Sequence, residues 1–129
     1  MAKADFDFCR NPSETPSMFV AWTTTAHRAD AERLARGAVE ARLAACAQVD
    51  GPVVSFYHWE GKLEQAEEFR VWFKYLPANA SSLSAWVHNH HPFAVPQWLE
   101  VSAENVGEKY LSWAMANSTS LPFPQTKSP

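Results

Sequence analysis

Apolar and polar positions along this chain recur with two different periods, and the switches between them divide it into elements. Residues 18–24 read Met-Phe-Val-Ala-Trp-Thr-Thr, a continuous apolar and aromatic run that predicts a buried strand. Beyond it, Ala31, Leu34, Ala35, Ala38 and Val39 recur near the helical period, with Glu32 and Arg36 spaced to pair on the outer face. Thr25 is placed to cap that helix through its hydroxyl. Gly37 lies inside it at a cost of about 1 kcal/mol relative to Ala. After Arg42-Leu43-Ala44-Ala45-Cys46 the period becomes two. Val54, Phe56 and His58 fall on one side of a strand, and Val53, Ser55, Tyr57 and Trp59 on the other. Glu60-Gly61-Lys62 supplies a reversal. The returning strand then alternates Phe69, Val71, Phe73 and Tyr75 against Arg70, Trp72, Lys74 and Leu76, which predicts a long hairpin.

Pro77 opens a second helix whose apolar stripe is Leu83, Trp86 and Val87. It stops at Asn89-His90-His91, because Pro92 disfavours helical geometry in the residue before it. Residues 98–103 form a fourth strand. Asn105 with Glu108 has the spacing of a capping box for a last helix through Met115. The predicted order is β-α-β-β-α-β plus a C-terminal helix, an α+β, ferredoxin-like βαββαβ sandwich with an antiparallel sheet. Two helices cover one face of such a sheet, and the other face should be polar if it meets water. Here both faces of the hairpin carry bulk: Phe56, Phe69, Val71 and Phe73 on one, Tyr57, Trp59 and Trp72 on the other. Self-association accounts for such a cluster better than exposure does.

At 129 residues the chain has room for one ordinary domain, and its 47 % hydrophobic content is that of a globular protein. We expect a domain over 18–116, with a Pro-rich polar leader over 1–17 and a similar tail over 117–129, both disordered. A net charge of −3 with no basic block argues against a nucleic-acid partner. No stretch approaches a membrane span or a signal peptide. The two cysteines, Cys9 and Cys46, are too few for a disulfide framework, so a reducing, cytoplasmic location is expected.

Several short stretches, in order, carry a family likeness. They are Arg42-Leu43-Ala44-Ala45-Cys46, Tyr57-His58-Trp59-Glu60-Gly61-Lys62, Lys74, His91-Pro92-Phe93-Ala94-Val95-Pro96 and Tyr110-Leu111-Ser112-Trp113. Together they resemble the CutA divalent-cation-tolerance family across about residues 18–116. The resemblance implies a tight homotrimer with hairpins pairing across subunits. It also implies likeness to the PII signalling trimers, and a link to tolerance of copper and other divalent metals through weak binding of Cu²⁺ or a similar ion. Which partner of a different kind this chain would take is left open. One departure stands out: the family's Tyr-Glu-Val-Pro-Glu reads Phe93-Ala94-Val95-Pro96-Gln97 here, which removes two carboxylates and a phenol that suit hard cations.

Candidate chemistry follows from the residues and this likeness together. Cys46 offers a soft thiolate ligand, or equally a small buried hydrophobe at a helix–strand junction. His91 matches the family histidine and is the second metal candidate, whereas His88 and His90 suit the carbonyl end of a helix. Tyr57, Trp59 and Lys74 are candidates to line an inter-subunit cleft for a small anion; alternatively the rings pack a subunit seam and Lys74 pairs with Glu60 or Glu100. No nucleophile–base set, phosphate loop or Cys-x-x-Cys is present, so no enzyme is expected.

Overall fold

The computed structural model describes residues 17–119; the expected leader, Cys9 and most of the expected tail lie outside the described residues. Strand β1 (Met18–Thr25) leads into helix α1 (Arg28–Glu40). The long hairpin follows as β2 (Cys46–Trp59) and β3 (Lys62–Tyr75). A 3-10 turn at Pro77–Asn79 precedes α2 (Ala80–His90), and the described chain closes with β4 (Leu99–Ala103) and α3 (Glu108–Ala116). The sheet is antiparallel in the order β2-β3-β1-β4, the split arrangement read from the sequence. Among the described residues no helix is long and apolar enough to cross a membrane.

Element ends depart from expectation where side chains choose other partners. Thr25 does not cap α1: it closes β1, and its hydroxyl donates to the His27 carbonyl at 2.9 Å, leaving His27 at the N-cap with no side-chain bond. The Asn105–Glu108 capping box does not form either, because Gly107 is the N-cap and Glu108 is the first residue of α3, two positions short of where a capping box needs it. On α1, Glu32 lies 3.9 Å from Arg28, the preceding turn's cation, rather than pairing with Arg36. After α3, the Ser118 hydroxyl donates to the Ala114 carbonyl at 2.7 Å and the Thr119 amide to the Arg42 carbonyl at 2.9 Å. These bonds hold the end of α3 against the α1–β2 corner.

The core lies between the sheet and helices α1 and α2. Ala31, Leu34 and Ala38 of α1 and Leu83 and Val87 of α2 meet Ala21, Val71, Phe73 and Tyr75 of the central strands, all fully buried. The alanines of α1 let the helix approach closely, and the bulk comes from the strands. Burial pushes the Tyr75 phenol far above its usual range, with its hydroxyl donating to Glu100 at 2.5 Å across β1. That bond ties β4 to β3 although they are not neighbours in the sheet.

Gly37 has a packing reason that helix propensity does not reveal. The Trp86 indole of α2 lies where a Cβ on Gly37 would sit, at 2.6 Å. A Gly37→Ala change should therefore lower stability by about 1–3 kcal/mol, as overpacking does, instead of giving the gain of about 1 kcal/mol expected of an exposed helix interior. Chemical denaturation of the two proteins checks this, and a variant more stable than the parent would refute the contact.

Candidate functional site

The facing of the hairpin is set by one irregular step. From Cys46 to Asp50, β2 pairs with Lys74 to Arg70; after the step, Val53 pairs with Glu68 and the register continues to Trp59 opposite Lys62. Three residues of β2 thus span two of β3, a bulge that reverses which β2 positions face which side. Directly opposed residues share a face. Cys46, Gln48 and Asp50 before the step therefore lie on the same side as Ser55, Tyr57 and Trp59 after it. That is the side away from the helices. Gly51 makes the step possible, with φ of 132° and no room for a Cβ, which would come within 2.9 Å of the Glu68 carbonyl.

Near the base of the hairpin this face is polar and self-paired. Arg70 donates to both oxygens of Asp50, at 3.1 and 2.8 Å, and the Trp72 indole N–H reaches the same carboxylate at 3.3 Å. The Arg70 guanidinium holds the Asp50 carboxyl below the usual carboxylate range. Trp72 lies against Trp22 with ring centroids 4.9 Å apart. Towards the tip, among the described residues, no helix lies beneath the other face. Val54, Phe56 and Leu63 are 52 %, 65 % and 70 % exposed, and Trp59 is 49 % exposed.

Between the outer hairpin and segment 92–97 lies a cleft of about 970 Å³. The hairpin lines it with Phe56, Tyr57, Trp59, Glu64 and Glu68. Glu68 is buried, and its Oε1 accepts a 2.7 Å hydrogen bond from the Ser55 hydroxyl. Among the described residues no Lys or Arg lines the cleft. Phe93, Ala94 and Gln97, the positions that depart from the family motif, form part of its wall.

The structure separates the candidates read from the sequence. Tyr57 and Trp59 line the cleft, but Lys74 stands at the other end of the hairpin, roughly 40 Å of strand from Lys62 at the tip at about 3.3 Å per residue. Lys74 pairs with neither Glu60 nor Glu100: it donates to Gln48 Oε1 at 2.6 Å, and Glu100 is taken by Tyr75. Cys46 shares a rung with Lys74 and is half-buried. The Tyr110 hydroxyl of α3 reaches it, and burial with the neighbouring thiol pushes the Tyr110 phenol up. The sequence places Tyr110 only in the last helix; its meeting with Cys46 needs α3 folded against β2.

His91 is buried and fully engaged. Its Nδ1 accepts from the Phe93 amide at 3.1 Å, so the proton sits on Nε2, which faces the Thr24 carbonyl at 2.9 Å and the Thr23 hydroxyl at 3.0 Å. A metal would need a free ring lone pair, and this ring has none. Among the described residues no three His, Cys, Asp or Glu side chains are placed to share an ion. Within one chain, Cys46 and His91 do not fit a common metal.

The family model described as CutA1 divalent ion tolerance protein matches residues 19–117. A protein CutA homolog of Xenopus laevis is 34 % identical over 97 residues, 75 % of this chain; the chain spans 64 % of that protein's length. A divalent-cation tolerance protein CutA of Yersinia pestis is 31 % identical over 116 residues, covering 88 % of this chain and 98 % of that protein. The crystal structure of CutA1 from the psychrotrophic bacterium Shewanella sp. SIB1 superposes with a TM-score of 0.79 at 30 % identity, over 83 % of this chain and all of that one.

The environment of His91 gives a pH dependence with a definite sign. Burial, the largest cause, holds its pKa below the ordinary value of 6.5. The unfolded chain then binds the proton first, so stability is complete above about pH 6.5 and falls as pH drops through that value towards the folded one. In denaturant titrations, the advantage of the parent over His91→Gln should shrink between pH 7.5 and pH 5; an advantage that grows on acidification would refute the neutral, hydrogen-bonded ring.

Proposed function

Because this chain belongs to the CutA1 divalent ion tolerance family, we propose that it acts in divalent-cation tolerance as a homotrimer of ferredoxin-like protomers. The observation that carries the assembly is the outer hairpin, which holds large apolar side chains to water on both of its faces. Covering them with further copies removes that surface at about 25 cal/mol per Å². The two edge strands, β2 and β4, are open to pairing as well. The number three comes from the family resemblance.

The tie to divalent ions rests on the name carried by the relatives. Cys46 is the soft ligand this reading needs, and a cytoplasmic setting keeps it a thiol. Among the described residues no three His, Cys, Asp or Glu side chains gather around it, so an ion held there draws further ligands from a neighbouring copy. The alternative of a PII-like module for a small anion has less support, because the cleft at Tyr57 and Trp59 is lined by carboxylates and, among the described residues, by no Lys or Arg.

Native mass spectrometry with and without Cu²⁺ tests both parts. The parent protein should appear as a trimer at micromolar concentration, and Phe56→Glu combined with Trp59→Glu as a monomer. Cu²⁺ occupancy should fall in Cys46→Ala while the trimer persists. A monomeric parent, or copper binding indifferent to Cys46, would sink the corresponding half of the reading.

A further inference from the structure

We propose that His91 is an acid-opened latch: the neutral ring fastens segment 92–97 to β1, and a ring that gains a proton keeps its hold on β1 and releases the segment. The inference rests on bonds within one chain and depends neither on the assembly nor on a bound ion.

The segment is a bridge between two fixed ends. Upstream, Arg33 of α1 donates to the His90 carbonyl at 3.1 Å and ties down the end of α2. His91 then leaves the helix in extended geometry, as the following Pro92 requires. Downstream, Trp98 packs on Phe73 with ring centroids 5.9 Å apart, and β4 pairs with β1 from Leu99. Residues 92–97 between them form no helix or strand. Among the described residues, the one hydrogen bond of this segment runs from the Phe93 amide to His91 Nδ1, at 3.1 Å. The Phe93 ring lies against the same imidazole, with centroids 5.0 Å apart.

The two ring nitrogens have different tasks, and one proton tells them apart. Nδ1 serves by accepting; Nε2 donates to the Thr24 carbonyl at 2.9 Å, with Thr23 Oγ1 3.0 Å away. An imidazolium is a donor at both nitrogens. A proton added to Nδ1 therefore points at the Phe93 N–H, donor against donor, and that bond is lost. The bond to Thr24 survives and gains strength from the charge. Segment 92–97 reads Pro-Phe-Ala-Val-Pro-Gln, so it has no carboxylate with which to hold the imidazolium. Burial is the largest influence on the ring and opposes its protonation. His88 of α2 and Arg33 of α1 oppose it too, while the Thr24 carbonyl and Asp30 of α1 favour it. The balance places the opening below the ordinary histidine value of 6.5.

Hydrogen–deuterium exchange of the full chain between pH 7.5 and pH 5, corrected for the intrinsic pH dependence of exchange, tests the latch. Protection of the Phe93, Ala94 and Val95 amides should fall about three- to tenfold on acidification while that of β1 holds. His91→Asn keeps an acceptor for the amide two residues on but cannot titrate, so protection there should not change with pH. Nitrogen-15 resonances of the parent ring give a second reading that needs no variant. Nδ1 should be the site that gains the proton, with the Phe93 amide shifting at the same midpoint. Constant protection at residues 92–97 overturns the proposal, and so does a pH response that His91→Asn retains. A loss shared by β1 or the hairpin would be general loosening or subunit dissociation, and it also overturns the latch. Native mass spectrometry at both pH values reads the oligomer, so a failed latch and a failed assembly are distinguishable.

Discussion

An antiparallel sheet has two faces, and this chain supplies helices for one of them over only half the length of its longest strands. Everything distinctive about the molecule follows from that shortfall and from the bulge that decides how it is distributed. Up to Asp50, β2 keeps one phase; the extra residue before Val53 shifts it by one, so that Tyr57 and Trp59 stand with Glu64 and Glu68 on the side away from the helices. Without the bulge, Phe56 and His58 would occupy that side and the cleft would lose two of its rings. Gly51 is the residue at which this phase is set, because the backbone there passes too close to Glu68 and Phe69 for any side chain.

The two ends of the hairpin consequently do different physical work. At the base, polar groups find partners inside the chain: Asp50 is paired with Arg70 and bonded by Trp72, and Lys74 donates to the Gln48 amide oxygen. At the tip, the cleft carboxylates have no Lys or Arg beside them among the described residues, and the Phe56 and Trp59 rings are exposed. The apolar side chains left to water and the cleft thus fall in the same half of the same hairpin.

Much of the architecture was legible in the sequence because it rests on period. The alternation of Phe69, Val71, Phe73 and Tyr75, and the helical spacing of Ala31, Leu34, Ala35 and Ala38, each state a facing that the core then confirms. Local hydrogen-bond choices were less legible. Thr25 and Asn105 have the chemistry of caps, but a hydroxyl bonds to whichever carbonyl or amide the tertiary fold brings nearest. The site was hardest to read. His91 matches a motif, yet its role as a neutral strut between Thr23, Thr24 and Phe93 depends on contacts 67 and 68 residues away in sequence. Glu68 went unnoticed because nothing in the local pattern marks a glutamate as buried, and Gly37 looked like a weakness until Trp86 was found resting on it.

The order β2-β3-β1-β4 leaves a free backbone edge at each side of the sheet, one on the long strand and one on the short. Two different edges on one molecule are a head and a tail, and head-to-tail joining has two geometric fates. If the rotation from one copy to the next divides a full turn, the series closes into a ring; if it does not, the series grows as a filament. Sheet twist and the bend that a bulge gives its strand both shape the edges such joining would use, and in this chain the bulge falls between Asp50 and Val53.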